Sequence, residues 1–341
     1  PLAELLKNCF ITETDIFTEN HKNNDRRMKG FALYNYMFEK ITDDDIFNDD
    51  ERQQEIEQNF IRRQECLDDV LIDDFNKERP VRFANARGTQ YLHHFLLEPF
   101  KEEGVYVLRI LKNCRGIRHD ENFRSISFDD YRSCIIIIDN RPGIQLIAIE
   151  NATSAFQSLE TVERIIERTL SRIMAQRFSL KLSIKNIYDA SRFWKIVQDK
   201  KSYPRGFRKV EFTWPKPNLE RLAKRFEFIQ GIRKDTESAV TLVTDAGAGK
   251  SVRLNPDDQW TRDVVQAASN IGGEASIRLT PNGSRRKINV GKDCYKFITF
   301  DDATFSKMSP DNPHLYPKDH LAALADKIEQ NALKNGNPDR L

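Results

Sequence analysis

The clearest pattern of apolar positions lies in the middle of the chain and predicts a strand, a helix and a second strand in succession. From Leu159 to Met174 the apolar residues recur every three or four positions, as on the buried face of a helix, and Ser158 can cap its first turn. Residues 178–184 then alternate apolar and polar, which is typical of a half-buried strand. An apolar run at residues 144–149 precedes the helix, so the order predicts a parallel crossover within one sheet.

Two compact apolar runs upstream of this helix predict a β-hairpin. The runs are Cys134–Ile138 and Ile144–Ile149, and the segment Asp139-Asn140-Arg141-Pro142-Gly143 between them supplies turn residues. A further strand is expected at residues 105–111. Before it, helix-like spacing at residues 51–76 indicates that the first 98 residues are mainly helical.

The remaining sequence alternates between short helices and strands and completes a prediction of α+β class. Helices are expected at residues 189–200, 219–229, 260–268 and 321–328, and strands at 209–214, 239–244, 276–279, 288–290 and 295–300. The predicted architecture is a mixed sheet with flanking helices, preceded by an acidic, mainly helical N-terminal region. We expect four segments: the acidic region 1–98, an α/β domain 99–234, a smaller α/β unit 235–310, and a polar C-terminal helix and tail 311–341.

Composition narrows the class of protein without identifying a reaction. Of 341 residues, 39% are hydrophobic and 31% are charged, which suits a folded chain with a heavily charged surface. No apolar run has the length of a membrane span or a secretory signal. Five scattered cysteines without a Cys-x-x-Cys pair argue against a disulfide framework and favour a cytoplasmic location.

The charge is strongly asymmetric along the chain. Residues 1–79 hold 11 basic and 20 acidic residues, a net charge of −9, whereas residues 160–234 hold 19 basic and 8 acidic residues, a net charge of +11. Such a basic block attracts phosphates, and interleaved aromatic residues can stack on bases. The predicted phosphate contacts are Arg164, Arg168, Arg172, Lys200, Lys201, Arg205, Arg208 and Lys209.

The bland interpretation of the same block, that its residues have a structural role and contact no nucleic acid, stays open. Val210, Phe212 and Trp214 alternate like the buried face of a strand, which would place those rings in the core. The basic block could also dock on the acidic block of the same chain, so that its cations are neutralised internally.

A metal-dependent nuclease is the second hypothesis. Asp139 and Glu150 flank the hairpin strands and could meet at one end of the sheet to hold Mg²⁺, with Lys181 near the attacked phosphate. The arrangement loosely resembles the PD-D/E-x-K nuclease pattern, but Asn151-Ala152 follows the glutamate where that pattern has its lysine. The alternative is that Asp139 starts a turn and Glu150 ends a strand.

Two further motifs carry weaker signals. Residues 244–251, Thr-Asp-Ala-Gly-Ala-Gly-Lys-Ser, resemble a phosphate-binding loop, but the first glycine is replaced and Pro256 interrupts the helix that must follow, which favours a plain glycine turn. Arg87 with His93-His94 resembles the Arg-His signature of HEPN ribonucleases, which are all-helical.

These observations leave three hypotheses and an open question whether the protein is an enzyme. The first is an intracellular nucleic-acid-binding protein or complex subunit without a cofactor, whose partner is DNA or RNA. The second is the Mg²⁺-dependent nuclease. A role as a phage-defence effector would go with it, since the general character of the sequence is similar to bacterial proteins encoded near phage-defence genes. The third is an interaction scaffold with acidic and basic faces, with a protein partner or a second copy of itself. No hypothesis involves a membrane.

Overall fold

The computed structural model describes most of the chain from Met28 onward. The described residues are 28–41, 50–75, 81–84, 89–97, 103–214, 240–247, 249–271, 273, 276–306, 308 and 318–333. The helix expected at 219–229 and the last eight residues lie outside these ranges.

The described residues form twelve strands and several helices, and the α+β class is confirmed. The strands are β1 Met28–Lys40, β2 Val81–Ala84, β3 Gln90–Phe95, β4 Val105–His119, β5 Ser125–Asp139, β6 Leu146–Glu150, β7 Leu180–Asn186, β8 Phe207–Trp214, β9 Val240–Asp245, β10 Ile277–Pro281, β11 Ile288–Asn289 and β12 Phe297–Asp301. The helices are α1 Asp50–Ile61, α2 Arg63–Val70, a π-helix Leu71–Phe75, α3 Leu159–Phe178, α4 Ser191–Gln198, α5 Gln259–Ile271, α6 Asp302–Ser306 and α7 Lys318–Leu333.

The larger sheet has the order β12-β1-β6-β5-β4-β3-β2, and β7 also pairs with β1. Strands β6 and β7 are both antiparallel to β1, so they run in the same direction on either side of it. The crossover through α3 therefore exists, but it joins strands that are not neighbours. All pairings among the described strands are antiparallel, whereas a mixed sheet was expected.

Strand β1 escaped the sequence analysis because both of its faces are covered. All eight residues from Phe31 to Phe38 are buried, so no alternation of apolar and polar residues marks the strand. Together with β2 and β3, it adds three strands to an N-terminal region that was expected to be mainly helical.

The larger sheet is the middle layer of three. On one face, Ile136 and Ile138 pack in a core with Leu67 of α2 and Ile166 of α3. On the other face, Ile135 and Ile137 pack with the C-terminal helix α7 in a second core. The unbroken apolar run Cys134–Ile138 follows from burial on both faces.

The chain also forms a second sheet of four strands, in the order β11-β10-β8-β9. One of its faces packs against α4 and α5 in a third core that contains Phe193, Phe212, Trp214 and Val264. Its other face carries polar and charged residues of β8, β9 and β10, among them Lys209, Glu211 and Arg278.

A hairpin arm extends from the larger sheet. Strand β3 pairs with β4 only as far as Lys112, and β6 pairs with β5 only from Ile136, so residues 113–131 pair only with each other. Each strand of the arm is about 23 Å long at the usual rise of an extended chain. Its exposed large apolar side chains are Ile117, Phe123, Ile126, Phe128 and Tyr131.

Within the described residues, no helix combines the length and the apolar character that crossing a membrane requires.

Candidate nucleic-acid interface

Three loops meet beside the four-stranded sheet, and we name them together the loop cluster. They are residues 199–206 before β8, residues 246–253 after β9, and residues 282–287 between β10 and β11. Two of the loops begin with an aspartate that caps a turn. Asp199 accepts a hydrogen bond from the backbone N–H of Ser202, and Asp245 accepts one from that of Gly247.

Asn282 joins the three loops. Its side-chain nitrogen lies 2.9 Å from the carbonyl oxygens of Arg205 and Lys250 and 2.8 Å from the hydroxyl of Ser251. The Ser251 hydroxyl in turn donates to the Arg205 carbonyl at 2.6 Å, and the backbone N–H of Asn282 donates to the carbonyl of Gly206. The three loops therefore share the polar contacts of Asn282, in addition to the packing of Tyr203 and Val252 on the third core.

Glycine is required at the crossing point of two of these loops. Gly206 has a φ of +63°, and a Cβ placed on it would lie 2.9 Å from the Ser251 hydroxyl. A side chain at this position would strain the backbone and push the loops apart.

The loop cluster is densely cationic. It contains a single acidic residue, Asp199, and its eight basic residues are all exposed: Lys200, Lys201, Arg205, Lys250, Arg253, Arg285, Arg286 and Lys287. Of these, only Lys287 has an ion-pair partner among the described residues. The other seven leave a strongly positive surface, in which Lys201 alone interacts at longer range with a described carboxylate, that of Asp199.

On the strand face next to the loops, the basic residues are neutralised by one carboxylate, that of Glu211. Glu211 is almost buried, and it accepts from Lys209 at 2.7 Å and from Lys287 at 3.0 Å, while Arg278 lies 3.9 Å away. Burial alone would raise the pKa of Glu211, but the hydrogen bonds from Lys209 and Lys287 outweigh it and lower the pKa. The Lys209 ammonium is therefore already paired with a carboxylate of the same chain.

Helix α3 carries a separate group of cations. Arg164, Arg168 and Arg172 form an exposed column along it, as the sequence predicted. Arg164 pairs with Glu160 at 2.6 Å, and Arg172 donates to the backbone carbonyl of Arg82. The helix packs on β6 and β7 of the larger sheet, whereas the loop cluster belongs to the four-stranded sheet.

The eight predicted phosphate contacts thus divide into an α3 column, the exposed loop residues Lys200, Lys201 and Arg205, and two strand residues. Arg208 is only partly exposed, and its buried Nε has no hydrogen-bond partner among the described residues. The sequence analysis missed the five basic residues that loops 246–253 and 282–287 contribute. The signals that could have found them are Lys250 after a glycine turn and the run Arg285-Arg286-Lys287 after Asn282-Gly283.

The aromatic residues of the basic block are mostly core residues. Trp194, Phe207, Phe212 and Trp214 are buried, as the bland interpretation held, and only Tyr203 is half-buried beside the loops. The loop cluster therefore offers charge to a phosphate backbone but few rings to unpaired bases.

The nuclease carboxylates do not come together. Asp139 lies opposite Leu146 at the start of β6, whereas Glu150 is at the other end of that strand, so about 13 Å of extended chain separates them. The expectation that they meet at one end of the sheet is wrong, because Asp139 faces Leu146 at the turn and Glu150 lies four residues beyond Leu146.

Both carboxylates have structural partners. Asp139 is fully buried and accepts two hydrogen bonds from the Arg141 guanidinium, each at 3.0 Å, and one from the Arg141 backbone N–H at 3.3 Å. Glu150 accepts from the Lys29 ammonium at 2.5 Å and from the backbone N–H of Ile135 at 2.8 Å.

Lys181 is also far from Glu150. It lies opposite Glu39 on β1, whereas Glu150 lies opposite Phe31, a separation of about 26 Å along that strand. No group of three or more possible metal ligands occurs among the described residues.

The weaker motifs have plain structural roles. Residues 244–251 end β9 and form a turn with Gly247 and Gly249 at positive φ, and no helix begins directly behind them. His93 and His94 are consecutive residues of β3, so their side chains point to opposite faces; Arg87 lies outside the described residues.

Comparison with known proteins gives no further assignment: no protein-family model matches the chain, and no curated protein matches it.

Proposed function

We propose that this protein binds nucleic acid through the phosphate backbone, using the loop cluster. The observation that carries the proposal is the convergence of three loops whose exposed cations outnumber acidic residues by eight to one. Seven of those cations have no ion-pair partner among the described residues, so they are available to displace the counterions of a polyanion.

The geometry favours a duplex over an unpaired strand. Single-strand binders combine a basic groove with exposed rings on which bases stack. In the loop cluster only Tyr203 is aromatic, and its ring packs 5.0 Å from that of Phe207. Recognition by charge alone predicts binding of DNA and RNA duplexes with little sequence preference.

The test compares two variants with the same change of charge. The loop-cluster variant Lys201→Gln, Lys250→Gln, Arg286→Gln removes one cation from each loop. The α3 variant Arg164→Gln, Arg168→Gln, Arg172→Gln removes three cations from the helix column. Each is titrated with a short duplex of mixed sequence and with the matching single strand, at several salt concentrations, after a thermal melt has shown that it is folded.

We expect binding that weakens steeply with salt and a loop-cluster variant whose slope of log K against log salt is smaller by up to about 2.7, at about 0.9 per lost phosphate contact. The α3 variant should keep the slope of the unmodified protein. Undetectable binding at low salt would defeat the proposal, and so would a larger loss in the α3 variant than in the loop-cluster variant.

Masking by the acidic N-terminal region has a separate test. Deleting residues 1–79 is unsuitable, because it removes the central strand β1. Replacing Asp43, Asp44 and Asp45 by Asn removes three charges of the acidic block and leaves β1 intact. A marked gain in duplex affinity would favour the scaffold hypothesis, in which the acidic block covers the cations, and unchanged affinity would favour an open interface.

A further inference from the structure

A pocket with an aromatic wall and a cationic rim lies between α3 and the β2–β3 hairpin. Its volume is about 110 Å³, and its lining residues are Phe83, Tyr91, Thr161, Arg164, Ile165 and Arg168. The four residues from α3 are spaced at i, i+3, i+4 and i+7, so they form one stripe of that helix. The pocket is distinct from the loop cluster in both position and composition.

Packing fixes the aromatic wall in advance of any ligand. Phe83 and Tyr91 lie directly opposite each other on β2 and β3, with ring centres 6.3 Å apart. Behind them, the Tyr91 ring stacks on Phe156, and the buried Ile165 belongs to the core under the helix. A flat ring that enters would meet a rigid apolar surface.

The rim carries a net positive charge. Arg164 shares its charge with Glu160, whereas Arg168 has neither an ion pair nor a hydrogen bond among the described residues. The Thr161 hydroxyl adds a polar group near the first turn of α3, where the helix dipole also favours an anion. Guanidinium groups bind phosphate oxygens with two parallel hydrogen bonds.

We infer that this pocket binds a phosphorylated nucleoside, with its base against Phe83 and Tyr91 and its phosphate on Arg168 and Arg164. Aromatic side chains beside arginines match the two parts of such a ligand. This site goes beyond the proposed duplex interface and does not depend on it.

Equilibrium dialysis with AMP, adenosine and inorganic phosphate tests the inference. We expect saturable binding of AMP that is tighter than that of either part alone. A dianionic phosphate binds better to arginine, and its second pKa is near 6, so binding should strengthen from pH 5 to pH 7.5. The ligand could be a free nucleotide or the 5′-phosphorylated end of a nucleic-acid strand, and a 5′-phosphorylated dinucleotide distinguishes the two. Tighter binding of the dinucleotide than of AMP assigns the pocket to a strand end, and weaker binding assigns it to a free nucleotide.

Variants locate the binding. Arg168→Gln should weaken AMP binding about tenfold or more through loss of a charge-assisted hydrogen bond, and Phe83→Leu about fivefold or more through loss of stacking. Arg124→Gln on the hairpin arm removes the same charge and should leave AMP binding unchanged, as should the loop-cluster variant. Absence of saturable AMP binding overturns the inference, as does an equal loss in Arg168→Gln and Arg124→Gln. Either result leaves the duplex interface untouched, because that proposal is tested on the loops.

Discussion

The side-chain amide of Asn282 donates to the backbone carbonyl of Arg205 across 77 positions of sequence, at 2.9 Å. This contact, with those to Lys250 and Ser251, brings three cationic loops to one place. Charged residues on separate loops repel each other, so the polar contacts of Asn282 oppose that repulsion. The arrangement ties the shape of the proposed interface to one side chain.

Asn282→Ala should therefore weaken duplex binding clearly while lowering the free energy of unfolding only slightly. We expect the free energy of unfolding in urea to fall by about 1 kcal/mol, the usual net contribution of a hydrogen-bonded side chain, and duplex affinity at fixed salt to fall several-fold. Asn331→Ala, which removes a similar amide-to-carbonyl bond in α7, is the matched control and should leave duplex affinity unchanged. Equal affinity for Asn282→Ala and the unmodified protein would contradict the role of this residue.

Glu211 should stabilise the four-stranded sheet while weakening duplex binding. Its replacement by Gln leaves Lys209, Lys287 and Arg278 without their shared carboxylate, so we expect a loss of about 1–3 kcal/mol in the free energy of unfolding and tighter duplex binding, since a negative charge is removed. Glu160→Gln on α3 breaks an exposed pair and should cost about 0.5 kcal/mol or less.

The contribution of Glu211 also has a defined pH dependence. Its pKa is lowered in the folded protein, so the stabilisation is present above the pKa of the unfolded chain and is lost as the pH falls through the folded pKa. The difference in stability between the unmodified protein and Glu211→Gln should be constant from pH 7 to about pH 5 and shrink below about 4.3, the ordinary glutamate value. A difference that grew on acidification would contradict this assignment.

The turn after β5 depends on a buried polar network. Asn140 accepts from the Tyr36 hydroxyl at 2.5 Å and donates to Asp68 at 2.6 Å, and Tyr106 also donates to Asp68. Asn140→Ala leaves several buried groups without partners, so we expect a loss of about 2–4 kcal/mol in the free energy of unfolding. Tyr106→Phe removes one bond and should cost about 1 kcal/mol; a smaller loss for Asn140→Ala than for Tyr106→Phe would show that the network is not centred on Asn140.

The hairpin arm should be dispensable for folding. Replacing residues 114–130 by Asn-Gly joins the facing residues Asn113 and Tyr131 through a two-residue turn. Most of the removed side chains are exposed, so the free energy of unfolding should change by about 1 kcal/mol or less, and duplex binding should keep its salt slope. Loss of cooperative unfolding, or loss of duplex binding, would assign the arm a role that the loop cluster is proposed to have.

Local patterns predicted the elements well where a clear apolar pattern stands next to residues typical of a cap or a turn. Helix α3, with Ser158 as its cap, and the β5–β6 hairpin were expected and are confirmed. Strand β1 was missed because burial on both faces removes the alternation and Asn35 interrupts its apolar run, so neither pattern typical of a strand is present. Its position between β6 and β7 separates strands that the sequence order suggested were neighbours. Insertion of a strand from a distant segment is a tertiary event that no local pattern encodes.

The candidate site was only half predictable for a similar reason. Lys200, Lys201 and Arg205 could be found as a charge run, but Lys250 and Arg286 join them through tertiary contacts, among them those of Asn282 and Ser251. Lys209 counted as free in the sequence, because its partner Glu211 is two positions away, on the same strand face. Charge counts locate basic segments, whereas ion pairs decide which cations remain available.

The salt dependence of duplex binding tests the central claim most directly. Measured side by side, the unmodified protein should show a steep slope of log K against log salt, the loop-cluster variant a slope shallower by up to about 2.7, and the α3 variant the slope of the unmodified protein. Identical slopes for the unmodified protein and the loop-cluster variant would contradict the claim that these three loops contact the phosphate backbone.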